Sequence, residues 1–157
     1  MFKTPEMLEW EYTPHLGRTS QQAINASNDR LTWMRRSASD YEIALPVYEL
    51  VSFARAEGYY RGIPHQLRVA QIDHFVELCE QFYPRGRIYL FDSRMLYSAP
   101  LTIFGPLLSV LYVGTQNVAF RDRDRIQIFT KHFDTLVIQA TVSARDLSAH
   151  LQQLRQQ

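Results

Sequence analysis

The sequence predicts one α+β domain in which helices flank an antiparallel meander of strands. Apolar residues recur at helical spacing before residue 84 and again after residue 121. Between about 87 and 120 they form short β-branched and aromatic runs instead. Those runs are joined by only two to four residues, too few for a parallel crossover. Three to four strands at about 87–120, packed with N-terminal and C-terminal helices, are therefore expected.

Length, charge and composition limit the classes of function. The chain has 157 residues, 46% of them hydrophobic, which suits one domain with a sizeable core. A formal charge of +1 lacks the basic excess of a compact nucleic-acid-binding protein. The sequence contains neither a long apolar span nor a secretory signal, so we expect a cytoplasmic protein with no membrane segment.

The first 17 residues are expected to form an arm and not a folded unit. Residues 1–17 are interrupted by prolines and carry Trp10 and Tyr12 among acidic residues. We expect this N-terminal arm to dock by its aromatic rings and not to form an element of its own. Residues 18–157 are then the single α+β domain.

Apolar stripes predict the helices of this domain. Proline suits the first position of a helix, and glycine suits the residue after its end. A break is expected at 37–40 and an aromatic-rich loop at 59–64. The predicted helices cover 19–36, Pro46 to Gly58, the stretch between Pro64 and Pro84, about 122–140, and 143–154.

Four runs predict the strands of the meander. They are RIYLF at 87–91, LYSAPLTIF at 96–104, LLSVLYV at 107–113 and QNVAF at 116–120. Pro100 suits an edge strand or a bulge, because proline donates no ladder hydrogen bond. Gly105-Pro106 does not match a two-residue hairpin turn, which predicts a wider turn or a bulge.

No catalytic or metal-binding motif stands out. The single cysteine, Cys79, excludes an intramolecular disulfide and suits a buried thiol on a helix. His132 and Asp134 are two residues apart on a predicted helix and so face different directions. His74 suits a partly buried helix position. We therefore expect no catalytic residues, no metal ligands and no cofactor.

Two charged stretches have simple structural interpretations. RDRDR at 121–125 alternates in sign, so its charges largely cancel, and it suits a solvated turn between strand and helix. The arginines of WMRR at 33–36 suit a basic helix C-terminus, although a small phosphate contact is the alternative. Neither stretch predicts DNA-binding residues.

The predicted sheet offers the candidate ligand-binding residues. Strand alternation places Arg87 and Tyr89 on one face. Tyr97 follows on the next run, and Tyr112 is expected on a neighbouring strand. A face bearing tyrosines beside an arginine suits a small planar or acidic molecule. The same pattern equally suits a core packed by the final helices.

Two long runs resemble a known family of regulators. YPRGRIYLFDSRMLYSAPLTIFGPLLSVLYVGTQNVAF, followed by IFTKHFDTLVIQATV, resembles the C-terminal domain of bacterial XRE-type helix-turn-helix transcription regulators. DYEIALPVYEL and EGYYRGIPHQLR also look like parts of that domain, so the resemblance covers about 28–154. It implies a non-enzymatic domain that dimerises and senses an effector.

The sequence departs from that family in one respect. The compact set of short helices that reads DNA is absent before residue 37. The resemblance therefore implies a homodimer, a small-molecule effector as candidate ligand, and DNA contact only through a helix-turn-helix unit absent from this chain. Whether the chain is a fragment or a free-standing relative stays open.

Two other classes of function remain as alternatives. One is a protein–protein adaptor or modulator that uses Trp10 and Tyr12 of the arm. The other is a small enzyme with an unrecognised site built from Cys79, His74 or His132.

Overall fold

Two small sheets, one parallel and one antiparallel, organise the computed structural model, which describes residues 2–13, 20–114 and 116–157. The mixed helix and strand content confirms the predicted α+β class. The elements in chain order are α1 (Pro5–Tyr12), α2 (Ser20–Arg36), β1 (Tyr41–Pro46), α3 (Val47–Ala54), a 3-10 turn (Gly58–Tyr60), α4 (His65–Phe82), β2 (Gly86–Phe91), β3 (Leu101–Phe104), β4 (Leu108–Val113), β5 (Gln116–Phe120), α5 (Arg123–Ile138) and α6 (Leu147–Leu154).

The first sheet pairs β1 with β2 in parallel, from Tyr41 opposite Gly86 to Pro46 opposite Phe91. The chain between them runs through α3, the 3-10 turn and α4, which makes a βαβ unit. This corrects two expectations, because β1 was not predicted and 87–91 was expected to begin the meander. The short linker after 91 suggested an antiparallel neighbour, but strand partners are chosen by tertiary packing.

The main core lies on one face of this parallel pair. Ile88 and Leu90 are 4% and 0% exposed, and they pack with buried residues of α1, α3, α4 and α6. Phe91 points to the opposite face by alternation and is 2% exposed. Because α5 contacts both strands and contributes nothing to the first cluster, α5 covers the Phe91 face.

The second sheet is the antiparallel meander β3–β4–β5, which confirms the three-strand form of the prediction. Its first turn is wide, as expected. Phe104 pairs with Leu108, which leaves three loop residues, and Gly105 adopts a φ of +52° that favours glycine. β3 is an edge strand, and the carbonyl of Pro100 just before it accepts the Tyr112 N–H at 3.0 Å.

The N-terminal arm contains a helix, which corrects the expectation that it forms no element. The Thr4 hydroxyl caps α1 by accepting the Met7 N–H, and Met7 is 1% exposed in the main core. Gln71 of α4 holds the preceding residues, because its side chain bonds the Thr4 N–H at 2.8 Å and the Phe2 carbonyl at 2.6 Å. The rest of the arm, residues 14–17, lies outside the described residues.

The charged stretch at 121–125 is the turn that the sequence predicted. Asp122 caps α5 by accepting the Arg125 N–H at 3.0 Å, and the two side chains also form an ion pair at 3.6 Å. The Arg125 guanidinium lies 5.5 Å from the ring centre of Phe120. These arginine and aspartate side chains therefore serve the start of the helix.

Candidate functional site

The structure divides the four predicted ligand-binding residues between separate places. Arg87 and Tyr89 lie on β2 of the parallel sheet, while Tyr112 lies on β4 of the meander. Tyr97 lies in the loop between β2 and β3 and is 82% exposed. The expectation of one sheet carrying Arg87 and Tyr112 is wrong, because β2 pairs with β1; β4, which carries Tyr112, does pair with β3 as the meander required.

Arg87 and Tyr89 do share a face, and both contact the same carboxylate. Arg87 Nε donates to Glu42 Oε1 at 3.2 Å, and the Tyr89 hydroxyl donates to that oxygen at 3.5 Å. Arg87 also donates to the Pro84 carbonyl at 2.9 Å. The hydrogen bond to Glu42 raises the pKa of the Arg87 guanidinium above its ordinary, already high value. An acidic ligand would have to compete with Glu42, so this pair is better explained as a bridge between β1 and β2.

His132 and Cys79, two of the candidate catalytic residues, have separate surroundings. His132 does not pair with Asp134, as expected; its Nε2 lies 3.0 Å from the Ser98 hydroxyl oxygen. Cys79 lies in α4, where burial raises its pKa to about 12, with a smaller contribution from Glu80. A thiol with that pKa is protonated near neutral pH and is a weak nucleophile. Among the described residues, no three potential metal ligands converge.

The meander has one covered face. Ser109 of β4 is 0% exposed and lies opposite Phe120 of β5. The ring of Phe120 contacts that of Phe129 in α5, with ring centres 5.3 Å apart. Because α5 contacts β3 and β4 as well, the face that carries Ser109 and Phe120 packs against this helix.

The opposite face of the meander, called here the outer face, is largely apolar and partly open to solvent. Strand alternation and the register place seven residues on it, none of them charged. Phe104 and Tyr112 are 51% and 39% exposed, and the Tyr112 hydroxyl bonds that of Thr102 at 3.2 Å. The residues of the outer face are Thr102, Phe104, Leu108, Val110, Tyr112, Asn117 and Ala119.

Sequence reasoning missed the outer face although its signal was present. The runs at 101–104 and 108–113 are apolar at nearly every position, not at alternate ones. Such runs are typical of strands that are buried on both faces. In the described structure, however, α5 covers one face only, so the composition of the outer face suits a surface with a partner.

A second place of interest is the cleft between α1 and the 3-10 turn. Trp10 and Tyr59 meet edge to face, with ring centres 6.2 Å apart, and Tyr59 meets Tyr60 in the same way at 5.2 Å. A cavity of about 440 Å³ opens beside them, lined by Trp10, Glu11, Thr13 and Tyr59. The sequence singled out Trp10 and the aromatic loop separately, but it gave no sign that they meet.

The outer face and the cleft at Trp10 are the two surfaces that bear on function. Comparisons with family models, with curated proteins and with solved structures gave no match. Within the described ranges, no helix combines the length and the apolar character that crossing a membrane requires.

Proposed function

We propose that this chain is a non-enzymatic regulatory domain of a transcription regulator, which forms a homodimer through the outer face of its meander and senses an effector. The observation that carries the proposal is the outer face itself, an apolar sheet surface without a charged residue. The resemblance of residues 28–154 to the C-terminal domains of XRE-type regulators supplies the class of protein.

A second copy of the chain is the partner that suits this face best. A two-fold dimer buries the same patch on both subunits, so that patch must be complementary to itself. A charged residue near the axis would meet its own copy and be buried without a partner of opposite sign. The outer face avoids this cost because its polar members, Thr102, Tyr112 and Asn117, are all neutral.

The residues at the edge of the outer face extend the apolar surface. Leu107, at the tip of the turn between β3 and β4, is 74% exposed, and Phe104 beside it is 51% exposed. Two twisted sheets pack face to face about 10 Å apart when their side chains interdigitate. Exposed Phe, Leu and Tyr side chains on one such face provide the contact area that this packing needs.

DNA recognition is assigned to a helix-turn-helix unit other than these residues. The described helices and strands belong to an α+β unit, and the net charge of +1 gives little general attraction to phosphates. In this proposal the domain sets the subunit number of the regulator and responds to a ligand.

Placing a charge on the outer face tests the dimer. Val110 lies in the middle of that face, with Thr102 and Ala119 as its strand partners. We expect the unmodified protein to be a dimer at micromolar concentration by native mass spectrometry and sedimentation equilibrium. Val110→Lys should give a folded monomer, because the dimer would bury two lysines against each other.

The matched control uses the same strand and the same residue type. Val113 points to the other face by alternation and is 57% exposed, so Val113→Lys should leave the dimer intact. A monomeric unmodified protein would contradict the proposed dimer. A Val110→Lys variant that stays dimeric would show that the copies meet elsewhere.

A further inference from the structure

The cleft between α1 and the 3-10 turn combines aromatic rings with a carboxylate. The planes of Trp10 and Tyr59 are inclined at 88°, and those of Tyr59 and Tyr60 at 86°. Tyr59 is 59% exposed, so it is accessible from solvent. Trp10 and Tyr59 both line the open cavity of about 440 Å³, and because their planes are nearly perpendicular they present rings in two orientations to it.

Glu11 is the side chain that brings negative charge to the cleft. Glu11 lines the cavity, and its side chain is only 15% exposed. Burial raises the pKa of Tyr59, and the charge of Glu11 raises it further, which locates the negative charge close to the ring. The faces of aromatic rings are themselves negative and attract cations.

Lys3 shows what kind of group Glu11 accepts. Its ammonium nitrogen lies 2.6 Å from Glu11 Oε1 and also contacts Oε2. The Lys3 side chain is 38% exposed, so this internal cation is not enclosed. A carboxylate offers about four acceptor positions to N–H donors, and a quaternary ammonium, which has no N–H, can lie against it through charge alone, beside Lys3 or in its place.

Several contacts besides the rings of the cleft hold α1 in place. Met7 is 1% exposed in the main core, and Gln71 bonds the backbone of Phe2 and Thr4. These contacts already fix α1 on α4. Trp10 itself packs in part against the main core, and its contact with Tyr59, which is 59% exposed, extends from that core toward solvent. The exposed ring of Tyr59 and the cavity beside it therefore lie at the rim of the core, where a ligand can reach them.

We infer that this cleft binds an organic cation, a small molecule whose alkylammonium or quaternary ammonium group lies against Trp10 and Tyr59 with Glu11 as its counter-charge. Contacts of a cation with ring faces and a partly buried carboxylate are the usual means of recognising such groups. The inference rests on the effector-sensing part of the proposed function, for which it names the ligand class, and it does not require the dimer.

Trp10 fluorescence provides the test. The chain has two tryptophans, so Trp33→Phe, at an exposed position, leaves Trp10 as the only reporter. Choline is the probe, and 3,3-dimethyl-1-butanol, of the same shape but without charge, is its neutral counterpart. Ionic strength is held constant with sodium chloride. We expect a saturable change with choline and at least about tenfold weaker binding of the neutral alcohol.

Two variants in the Trp33→Phe background should move the affinity in opposite directions. Glu11→Gln removes the counter-charge and should weaken choline binding by about tenfold or more. Lys3→Ala removes the internal competitor and should strengthen it severalfold, a gain that misfolding could not produce. Glu9→Gln, an exposed position on the same helix that does not line the cavity, should leave the affinity unchanged.

Three outcomes would overturn the inference: no saturable signal with choline, equal binding of the neutral alcohol, or Glu11→Gln behaving like Glu9→Gln. The subunit number of the same samples is read by sedimentation. A dimer that does not bind choline would contradict the proposed ligand class but agree with the proposed dimer. A monomer that binds choline as expected would contradict the proposed dimer but agree with the proposed binding site.

Discussion

The Nε2 atom of His132 lies 3.0 Å from the hydroxyl oxygen of Ser98. This hydrogen bond ties the loop between β2 and β3 to α5, the helix that contacts both sheets. The loop is otherwise exposed at Met95 and Tyr97, which are 79% and 82% accessible. The Ser98–His132 contact therefore attaches the later part of this loop to α5.

His132→Ala should loosen that loop without unfolding the domain. A neutral hydrogen bond contributes about 1 kcal/mol, so local opening should become about fivefold more frequent. Arg94, whose side chain is 88% exposed, provides a trypsin site within the loop. We expect cleavage after Arg94 to accelerate about fivefold. Gln127→Ala, at an exposed position on α5, is the control, and equal rates in both variants would show that the bond does not hold the loop.

Asp122→Ala should lower the free energy of unfolding by about 1 kcal/mol, because α5 loses its N-cap. Asp122→Asn keeps an oxygen that can accept the Arg125 N–H, so it should retain most of the stability. The asparagine variant also loses the exposed ion pair with Arg125, which contributes little. Urea unfolding of the two variants separates the cap from the ion pair. An asparagine variant as unstable as the alanine variant would mean that the charge, not the cap, matters.

Ser109→Ala should raise the free energy of unfolding by about 1 kcal/mol. The Ser109 hydroxyl is buried beneath α5 and has no hydrogen-bond partner among the described residues. An unsatisfied buried hydroxyl costs about 1–3 kcal/mol, and alanine removes it with little change in volume. Ser98→Ala is the matched control, since its hydroxyl is bonded to His132 and its loss should be destabilising. A loss of stability in Ser109→Ala would reveal a partner for that hydroxyl.

Cys79 should make stability fall at alkaline pH. Burial raises its pKa from 9.0 to about 12, so above pH 9 the unfolded chain loses this proton while the folded chain keeps it. The stabilising contribution is complete below pH 9 and is lost as the pH rises toward 12. The slope is at most about 1.4 kcal/mol per pH unit. Urea unfolding at pH 8 and pH 10 should show a smaller pH effect in Cys79→Ala than in the unmodified protein, and identical effects would contradict the assigned burial.

The helices of the domain were predictable because their signals are local. The apolar stripe of α4, with Leu67, Phe75, Leu78 and Phe82, lies between Pro64 and Pro84, and the helix runs from His65 to Phe82. α5 likewise begins directly after the capping Asp122. α6 begins at Leu147, later than the expected 143, because Ser143 bonds the Asp146 carboxylate in the preceding turn. The exact residue at which a helix begins depends on the turn before it, and this local detail was not predicted.

The pairing of β2 was not predictable because its partner is distant along the chain. The segment YEIALP ends in a proline, which suggested the start of a helix and concealed β1. Pro46 in fact serves both elements, as the last residue of β1 and the N-cap of α3. Val142 adds a further contact from the other side, because its carbonyl accepts the Leu90 N–H at 3.0 Å. Strand order therefore followed from packing around Leu90.

The candidate sites show the same division. Alternation along β2 correctly placed Arg87 and Tyr89 on one face, since that is a property of any strand. It could not show that Glu42 of β1 would engage both of them. The cleft at Trp10 and Tyr59 joins residues 49 positions apart along the chain and depends on how α1 docks.

The sequence by itself determined the α+β class, the helices with strong apolar stripes and the three-stranded meander, because helix periodicity and short hairpin linkers act over a few residues. The tertiary structure decided the parallel β1–β2 pair, the docking of α1 and the side of the meander that α5 covers. Those features depend on which apolar surfaces meet after the chain collapses, and many arrangements of the same elements satisfy the local pattern equally well. The outer face and the aromatic cleft, on which both proposals rest, belong to this second group.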